Sequence, residues 1–356
     1  MKAIILAAGQ GTRLRPVTLT MPKPMVPVAN QPLIAYAIDM LRAADLKEIG
    51  IIVNSLESPI VAALGDGSQM GVQLTFIIQA EQKGLAHACG LARDFVGSEP
   101  FAMLLGDNIF QDKMHSMLTG FEASDSEAAI GVGEVADPSR FGIAQVEGDR
   151  VLRVVEKPKE FIGNLAISGV YLFRNSIFDA IANIKPSWRN ELEITDAIQY
   201  LVSSGKKVSQ YTIGGWWIDA GKPDAIVRAN QLVLGDMPYS PPPEGENIEN
   251  SEVSARVVLG EGSKIINSVV RGPVVIGSGV TISNSYVGPY TAIGNNVTVE
   301  HSEIEASIVM QDCVLKGIDG RIDGSLMADG SIVSSSGQSL PKVHRFILAE
   351  DSYVQL

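Results

Sequence analysis

A regular 17-residue spacing in the last third of the chain constrains the fold more than any other feature. Gly260, Gly277 and Gly294 lie 17 residues apart, and each opens a similar phrase that ends in an aliphatic residue. Through the same region, aliphatic residues recur in steps of 6, 5 and 6 at Leu259, Ile265, Val270, Ile276, Ile282, Val287, Ile293, Val299 and Ile304. This pattern predicts a three-sided parallel β-helix, because a single coil cannot bury its own apolar residues and must stack on the next.

The repeat weakens after Leu315, and Gly317–Gly330 has no regular spacing. We therefore expect a terminal cap or a partner contact in that segment.

Polar positions repeat with the same period. His301 falls at the coil position of Asn267 and Asn284, and the next residue in each coil is a serine. Many parallel β-helices of the hexapeptide type are acyltransferases with a histidine base, so His301 raises the alternative of a second activity. A stacked polar ladder explains the same residue without catalysis.

The first 236 residues follow a different pattern, in which short apolar runs alternate with segments of helical spacing. The runs are Lys2–Leu6, Ile49–Val53, Leu74–Ile78, Phe101–Leu105 and Ala129–Gly133, and a helical segment is Leu33–Ala44. Alternation of this kind predicts an α/β domain with a Rossmann-like, mixed and mostly parallel sheet and helices on both faces. A proline-rich stretch then interrupts the pattern. We predict a catalytic domain at residues 1–236, a linker at 237–250 and a β-helix domain at 251–356.

Composition excludes several classes of function. The formal net charge is −12, which argues against a nucleic-acid-binding surface but not against a small anionic substrate. No run approaches the roughly 20 apolar residues that span a bilayer, so we expect no membrane association. Cys89 and Cys313 have no metal, redox or disulfide-framework spacing, which favours a reducing cytoplasm.

A glycine-rich turn follows the first predicted strand. Gly9 and Gly11 allow backbone N–H groups to approach a phosphate, and Arg13 adds a forked cation. The phrase matches neither the Walker A motif nor G-x-G-x-x-G, so a plain tight turn remains an alternative. Lys23 is flanked by prolines that hold the segment extended, which brings its ammonium within reach of the same phosphates; a solvated loop lysine is the alternative there.

Two acidic residues each end an apolar phrase. Asp107 and Asp219 are candidate Mg²⁺ ligands, because ligands bind beyond the carboxyl ends of strands and Mg²⁺ needs only one or two carboxylates beside phosphate oxygens. Taken singly, each Asp fits equally well as a cap of a following turn. Lys157 is fixed by a following proline as Lys23 is, and Arg189 precedes an acidic helix start.

With these motifs together, the first ~235 residues resemble the sugar nucleotidyltransferases, and most of all the glucose-1-phosphate thymidylyltransferases. The matching phrases are Gly9–Leu14 with Lys23-Pro24, Gln79 with Lys83–Ala86, Leu105–Asn108, Arg140–Gly142, Glu156–Pro158, Ser168–Tyr171 and Glu191–Asp196. The repeats after them are similar to the left-handed parallel β-helix of hexapeptide repeats in long-form members. The resemblance therefore covers nearly the whole chain, though it is weaker past Leu315.

The resemblance implies transfer of a nucleotidyl group from dTTP to glucose 1-phosphate, giving dTDP-glucose and pyrophosphate with Mg²⁺ as cofactor. It implies that the triphosphate is bound by Gly9, Gly11, Thr12, Arg13 and Lys23, and the metal by Asp107 and Asp219. Gln79 and Gly84 match positions that contact the base. The sugar phosphate side is implied to consist of Gly142, Glu156, Lys157, Ile167, Tyr171 and Arg189. His87 departs from the family pattern, and we assign it no role.

Several alternatives remain open from the sequence. UTP in place of dTTP, another sugar 1-phosphate, and a non-catalytic regulatory subunit that binds nucleotide sugars all fit the same motifs. A Rossmann dehydrogenase fits less well, since the glycine fingerprint is broken and no acid is assigned to a ribose. Flat solenoid faces pack readily, so we expect a homo-oligomer formed partly through the β-helix.

Overall fold

A computed structural model describes residues 1–335 and 351–354. Its internal contacts divide the chain into two compact units. The first contains Met1–Gln10, Pro22–Met25 and Leu33–Asp219, and the second contains Gly11–Met21, Val26–Pro32 and Ala220–Leu356. The predicted boundaries at residues 236 and 250 stay predictions, and part of the predicted domain at 251–356 lies outside the described residues.

Strands and helices alternate through most of the chain before residue 236, and short strands follow one another closely after it. The strands are β1 Lys2–Leu6, β2 Pro27–Val28, β3 Gln31–Pro32, β4 Glu48–Val53, β5 Gln73–Ile78, β6 Phe101–Leu105, β7 Asn108–Phe110, β8 Ala128–Glu134, β9 Gly142–Glu147, β10 Arg150–Glu156, β11 Leu165–Phe173, β12 Val208–Thr212, β13 Trp217–Asp219, β14 Ile248–Glu249, β15 Glu252–Val253, β16 Val257–Leu259, β17 Lys264–Ile266, β18 Val269–Val270, β19 Val274–Ile276, β20 Thr281–Ser283, β21 Tyr286–Val287, β22 Thr291–Ile293, β23 Thr298–Glu300, β24 Glu303–Glu305, β25 Ile308–Val309, β26 Val314–Lys316, β27 Arg321–Asp323, β28 Leu326–Met327 and β29 Ile332–Ser334. The α-helices are α1 Leu33–Ala43, α2 Pro59–Leu64, α3 Leu85–Leu91, α4 Arg93–Val96, α5 His115–Glu122, α6 Ser176–Asn183, α7 Ile194–Ser203 and α8 Pro223–Gly235.

A mixed sheet forms the centre of the first unit, with strand order β5-β4-β1-β6-β11-β8-β12-β10-β9. Strands β5, β4, β1 and β6 are parallel, as predicted. Elsewhere only β8 and β12 are parallel, whereas β11 is antiparallel to β6 and β8 and β10 is antiparallel to β9, so the sheet is less parallel than expected. Strands β9 and β10 are joined by a two-residue hairpin turn, which permits only antiparallel pairing.

Helices cover both faces of this sheet, as the sequence predicted. Successive residues of β1 point to opposite faces: Ile4 and Leu6 belong to one hydrophobic core with residues of α3, α6 and α7, and Ala3 and Ile5 belong to the other with residues of α1, α2 and α5. The five predicted strands and the predicted helix are confirmed to within one residue at each end. No helix in the described residues is long and apolar enough to cross a membrane.

Three parallel sheets form most of the second unit, in the orders β14-β17-β20-β23-β26-β29, β15-β18-β21-β24-β27 and β16-β19-β22-β25-β28. This arrangement is consistent with the predicted β-helix. The register stacks aliphatic residues on aliphatic residues of the next coil: Ile265 pairs with Ile282, which pairs with Val299. Of the nine predicted inward residues, all except Leu259 are buried, and Leu259 is partly buried.

Past Leu315 the pairing continues, since β27, β28 and β29 form one further coil, and the expected cap or partner contact stays a prediction. The paired residues Ala292 and Ile308 are fewer than 17 positions apart in sequence, whereas the paired residues Glu303 and Arg321 are more than 17 apart. These changes in turn length hide the period in the sequence while the pairing continues.

Polar ladders follow the turns of the coils. Asn267, Asn284 and His301 all have left-handed backbone, with φ of 49°, 50° and 46°. Each next residue is a serine whose hydroxyl accepts a hydrogen bond from a backbone N–H one coil later. The donors are Ser285 to Ser268 at 3.0 Å, Ser302 to Ser285 at 3.2 Å and Ile318 to Ser302 at 3.3 Å. His301 thus occupies a ladder position, and its side chain is 61% exposed.

Candidate active site

Two carboxylates and one ammonium group converge at one edge of the first unit. The ammonium Nζ of Lys23 contacts Asp107 Oδ2 and lies 3.8 Å from Asp219 Oδ1. Its side chain is only 9% exposed, whereas the two aspartates are more accessible. The structure therefore brings together three of the residues that the sequence singled out, although 84 positions separate Lys23 from Asp107.

The local fold explains this convergence. Asp107 follows the buried strand β6, and the chain then turns into β7, which pairs antiparallel with β13 so that Asn108 lies opposite Asp219. The amide of Asn108 donates to Asp107 Oδ1 at 3.0 Å and accepts from the indole N–H of Trp217 at 2.7 Å. The carboxylate of Asp107 is thus oriented by a buried neighbour, which the sequence analysis did not identify.

A second polar cluster surrounds Glu156 at the end of β10. Its carboxylate lies 3.6 Å from the Lys157 ammonium and 3.5 Å from the Arg189 guanidinium, and it accepts from the Thr195 hydroxyl at 3.2 Å. Gly142 is required beside it, because a Cβ there would come within 2.6 Å of Thr195 and 3.1 Å of Glu156.

Burial raises the pKa of Glu156, and the charge of Glu193 adds to the effect. Lys157, Arg189 and the hydrogen bond from Thr195 act in the opposite direction. The cluster therefore holds a carboxyl group that is more easily protonated than an ordinary glutamate.

Arg189 makes more contacts with carboxylates than the sequence suggested. Its guanidinium forms a bidentate pair with the buried Glu193, at 3.0 and 2.7 Å, and lies 3.1 Å from Glu191. Bidentate pairing of this type fixes the orientation of the guanidinium plane. Its role at a sugar phosphate stays a prediction.

Tyr171 and Ile167 lie on β11 and are both buried. The pKa of Tyr171 is raised, mainly by burial and further by the charges of Glu156 and Asp107.

The predicted base-contacting residues form a third group at the end of β5. Gln79 donates to the Gly84 carbonyl at 3.2 Å, and its Nε2 lies 3.0 Å from Nδ1 of His87. Gln82, another residue missed from the sequence, donates to the Ala8 carbonyl at 2.7 Å and connects this group to the start of the glycine-rich turn.

The remaining predicted residues lie in that turn. Gly9 is exposed and belongs to the first unit, whereas Gly11, Thr12 and Arg13 belong to the second. Gly11 has left-handed backbone with φ of 63° and precedes a 3₁₀ turn, Thr12–Leu14, in which Arg13 is exposed. Their phosphate contacts stay predictions.

The donor set fits a magnesium ion. Asp107 and Asp219 both approach one cation, the Lys23 ammonium, so their carboxylates are close enough to share another. No group of three or more His, Cys, Asp or Glu side chains in the described residues is placed to hold a metal. A two-carboxylate site suits Mg²⁺, which takes its other ligands from phosphate and water.

Comparisons with known proteins identify the family of the chain. Residues 2–235 match the family model described as nucleotidyl transferase. The chain belongs to this family, among the sugar nucleotidyltransferases. It is 44% identical over 360 residues to the low-salt glycan biosynthesis nucleotidyltransferase Agl11 of Haloferax volcanii, covering 100% of both chains. It is 41% identical over 357 residues to a glucose-1-phosphate thymidylyltransferase of Streptomyces griseus, covering 100% of this chain and 99% of that one.

A solved structure resembles the first part of the chain. It is a UDP-glucose pyrophosphorylase in complex with UDP-glucose, with a TM-score of 0.59 and 27% identity over 64% of this chain and 96% of that one. The mixed α/β core is therefore shared with a pyrophosphorylase.

Proposed function

We propose that this nucleotidyltransferase transfers a thymidylyl group from dTTP to glucose 1-phosphate, giving dTDP-glucose and pyrophosphate. The observation that carries the proposal is the convergence of Lys23, Asp107 and Asp219 at one edge of the sheet. The full-length likeness to a named glucose-1-phosphate thymidylyltransferase supports the choice of substrates.

The reaction requires positioning and charge neutralisation more than covalent catalysis. An oxygen of the sugar 1-phosphate attacks the α-phosphorus, and the bond from that phosphorus to the bridging oxygen of pyrophosphate breaks. Lys23 neutralises charge on the triphosphate, with Arg13 and the N–H groups near Gly9, Gly11 and Thr12 as further contacts. The phosphate of the sugar is already ionised, so the step needs no general base.

Mg²⁺ is proposed as the cofactor, held by Asp107 and Asp219; it supplies positive charge to the phosphate oxygens when bound. Lys157 is proposed to hold the sugar phosphate, with Arg189 as a further contact. Gly142, Glu156, Ile167 and Tyr171 are proposed to surround the sugar. The partly buried, hydrogen-bonded carboxylate of Glu156 is suited to accept hydrogen bonds from sugar hydroxyl groups.

The repeat region is proposed to be a left-handed β-helix that contributes to a homo-oligomer, and the enzyme is proposed to act in the cytoplasm. The same site is compatible with UTP, and the structural likeness to a UDP-glucose pyrophosphorylase favours that second candidate.

A substrate matrix tests the proposal. Four nucleoside triphosphates are combined with glucose, mannose and N-acetylglucosamine 1-phosphates, and pyrophosphate release is measured with and without Mg²⁺. We expect the highest kcat/KM for dTTP with glucose 1-phosphate, and loss of activity in Asp107→Asn and Asp219→Asn. Higher kcat/KM with UTP would select the second candidate, and the absence of release in every combination would favour a regulatory subunit.

A further inference from the structure

The orientation of the Gln79 carboxamide is determined by its surroundings. Gln79 follows β5, and its backbone N–H donates to the Val53 carbonyl at 2.7 Å. The residue is only 5% exposed. Its Nε2 faces the Gly84 carbonyl oxygen at 3.2 Å, and a carbonyl can only accept, so the amide nitrogen and not the oxygen must lie on this side.

The Gly84 carbonyl is itself held in place. Gly84 has φ of 101°, and a Cβ there would lie 2.4 Å from the carbonyl oxygen of Leu192. The backbone of Leu192 binds both sides of this turn. Its N–H donates to the Lys83 carbonyl at 2.7 Å, and its carbonyl accepts from the Ala86 N–H at 3.0 Å. Rotation of the Gln79 amide would therefore place its oxygen against the Gly84 carbonyl oxygen, and the confined backbone at Gly84 could not move away.

His87, on the first turn of α3, is the second partner of this amide, with Nδ1 3.0 Å from Nε2 of Gln79. Because the amide nitrogen has hydrogens and no available lone pair, the hydrogen bond requires an unprotonated Nδ1. The imidazole must then be neutral, with its proton on Nε2.

The charges around His87 are consistent with a neutral ring. Burial lowers the pKa of His87, the charge of Lys83 lowers it further, and Glu81 acts in the opposite direction. Both charged residues lie in the loop before α3. In the described chain, the elements packed against α3 (β1, α4, α6 and α7) contribute no charge to this shift.

We infer that His87 is a positioning residue for nucleotide recognition, because its neutral ring accepts at Nδ1 and holds Gln79 with the amide oxygen turned to the base. Both amide hydrogens are then used within the protein. In the described residues nothing donates to Oε1 of Gln79, so a ligand meets an acceptor. Thymine and uracil offer a ring N3–H donor to such an acceptor, whereas cytosine and adenine offer a ring nitrogen that only accepts. The inference rests on the proposed function for its ligand.

The tautomer is measured first, on the full chain without nucleotide. Long-range ¹H–¹⁵N spectra of ¹⁵N-histidine-labelled protein are recorded from pH 5.5 to 8, and the His87 signals are assigned by their loss in His87→Gln. We expect the Nε2–H tautomer at pH 7. An Nδ1–H tautomer or a charged ring at pH 7 would overturn the inference, whatever the substrate is.

Binding is measured next, as the Kd of dTTP over the same pH range, with dCTP as the base control. We expect about tenfold weaker dTTP binding by the wild type as His87 becomes protonated, beyond the change seen in His87→Gln, whose amide oxygen accepts but does not titrate. His87→Ala should bind dTTP several-fold more weakly at every pH, with kcat nearly unchanged and KM raised. His115→Gln, an exposed change on α5, is the matched control.

The two arms separate the possible failures. If the tautomer is as expected but no triphosphate binds, the proposed function fails and the hydrogen-bond assignment stands. If dTTP binds and His87→Gln shows the same pH dependence as the wild type, the positioning role is wrong.

Discussion

The edge of the first unit and the coils of the second use polar residues in opposite ways. In the first unit, Lys23 meets Asp107 across 84 positions of the chain, and its ammonium also lies 3.8 Å from Asp219. In the coils, Ser268, Ser285 and Ser302 make the same hydrogen bond at the same interval. The first arrangement pairs one cation with two carboxylates, and the second satisfies backbone N–H groups. The proposed catalytic residues thus lie where contacts do not follow a period, whereas the ladder residues follow one.

The largest expected effect is on Lys23 and its two aspartates. Lys23→Ala should reduce pyrophosphate release by about 10²–10³-fold, since removal of one preorganised positive group from a transition state costs this much. Circular dichroism should show an unchanged fold. Lys206→Ala, at a half-exposed lysine of the same unit, is the control. Turnover within a few-fold of the wild type would remove Lys23 from the site.

A stacked aliphatic residue tests the repeated packing of the coils in the second unit. Ile282 is fully buried between Ile265 and Val299. Ile282→Ala should lower the free energy of unfolding by about 2–5 kcal/mol, because it removes buried methylene groups and leaves a cavity. Denaturant unfolding measures this, with the exposed Val258→Ala as control. A cost as small as that of the control would contradict the β-helix core.

The serine ladder should contribute less per residue. Ser285→Ala leaves the buried N–H of Ser302 without its acceptor, which costs about 1–3 kcal/mol. Ser325→Ala, in a different and more exposed turn, is the comparison, because its hydroxyl donates only to the Asp323 carbonyl. Equal shifts in Tm for the two variants would mean that the ladder does not stabilise the coils.

The smallest expected effect is a pH dependence. The pKa of Glu156 is raised by burial, so this group favours the folded state at pH values below its ordinary pKa, and that contribution is lost as pH rises through the raised value. Glu156→Gln should therefore lose less stability than the wild type between pH 4 and pH 7. Thermal unfolding at both pH values measures the difference, with the exposed Glu160→Gln as control. If the wild type and Glu156→Gln showed the same change of stability with pH, the raised pKa of Glu156 would be wrong.

The same contrast explains what the sequence could predict. The β-helix core follows from a period, because each coil meets its neighbours at a fixed interval, and Ile265, Ile282 and Val299 stack as expected. The 17-residue period no longer predicts the pairing after Lys316, where the turn is longer. Strands can still pair across a turn with an extra residue, but a search for a fixed sequence spacing then misses them. The parallel strands follow from apolar runs, but the antiparallel insertion of β11 depends on non-local pairing.

For the site, motifs identified Lys23, Asp107 and Asp219, and the structure brings them together. The residues that orient the motif side chains were missed. Asn108 and Gln82 act through contacts with Asp107 and Ala8, and Glu193 acts through Arg189. Each is an ordinary polar residue whose partner lies elsewhere in the fold. Asn108, directly after Asp107, and Glu193, within Glu191–Asp196, both lie in phrases that match the family, and Gln82 does not.

The most direct test of the central claim is identification of the product. The full chain is incubated with dTTP, glucose 1-phosphate and Mg²⁺, and ³¹P NMR follows the phosphorus signals. The account predicts that the triphosphate and the sugar phosphate disappear in equal amounts, and that pyrophosphate and a two-phosphorus nucleotide sugar replace them. Thymidine monophosphate with an unchanged sugar phosphate, or no reaction with any of the four triphosphates, would contradict it.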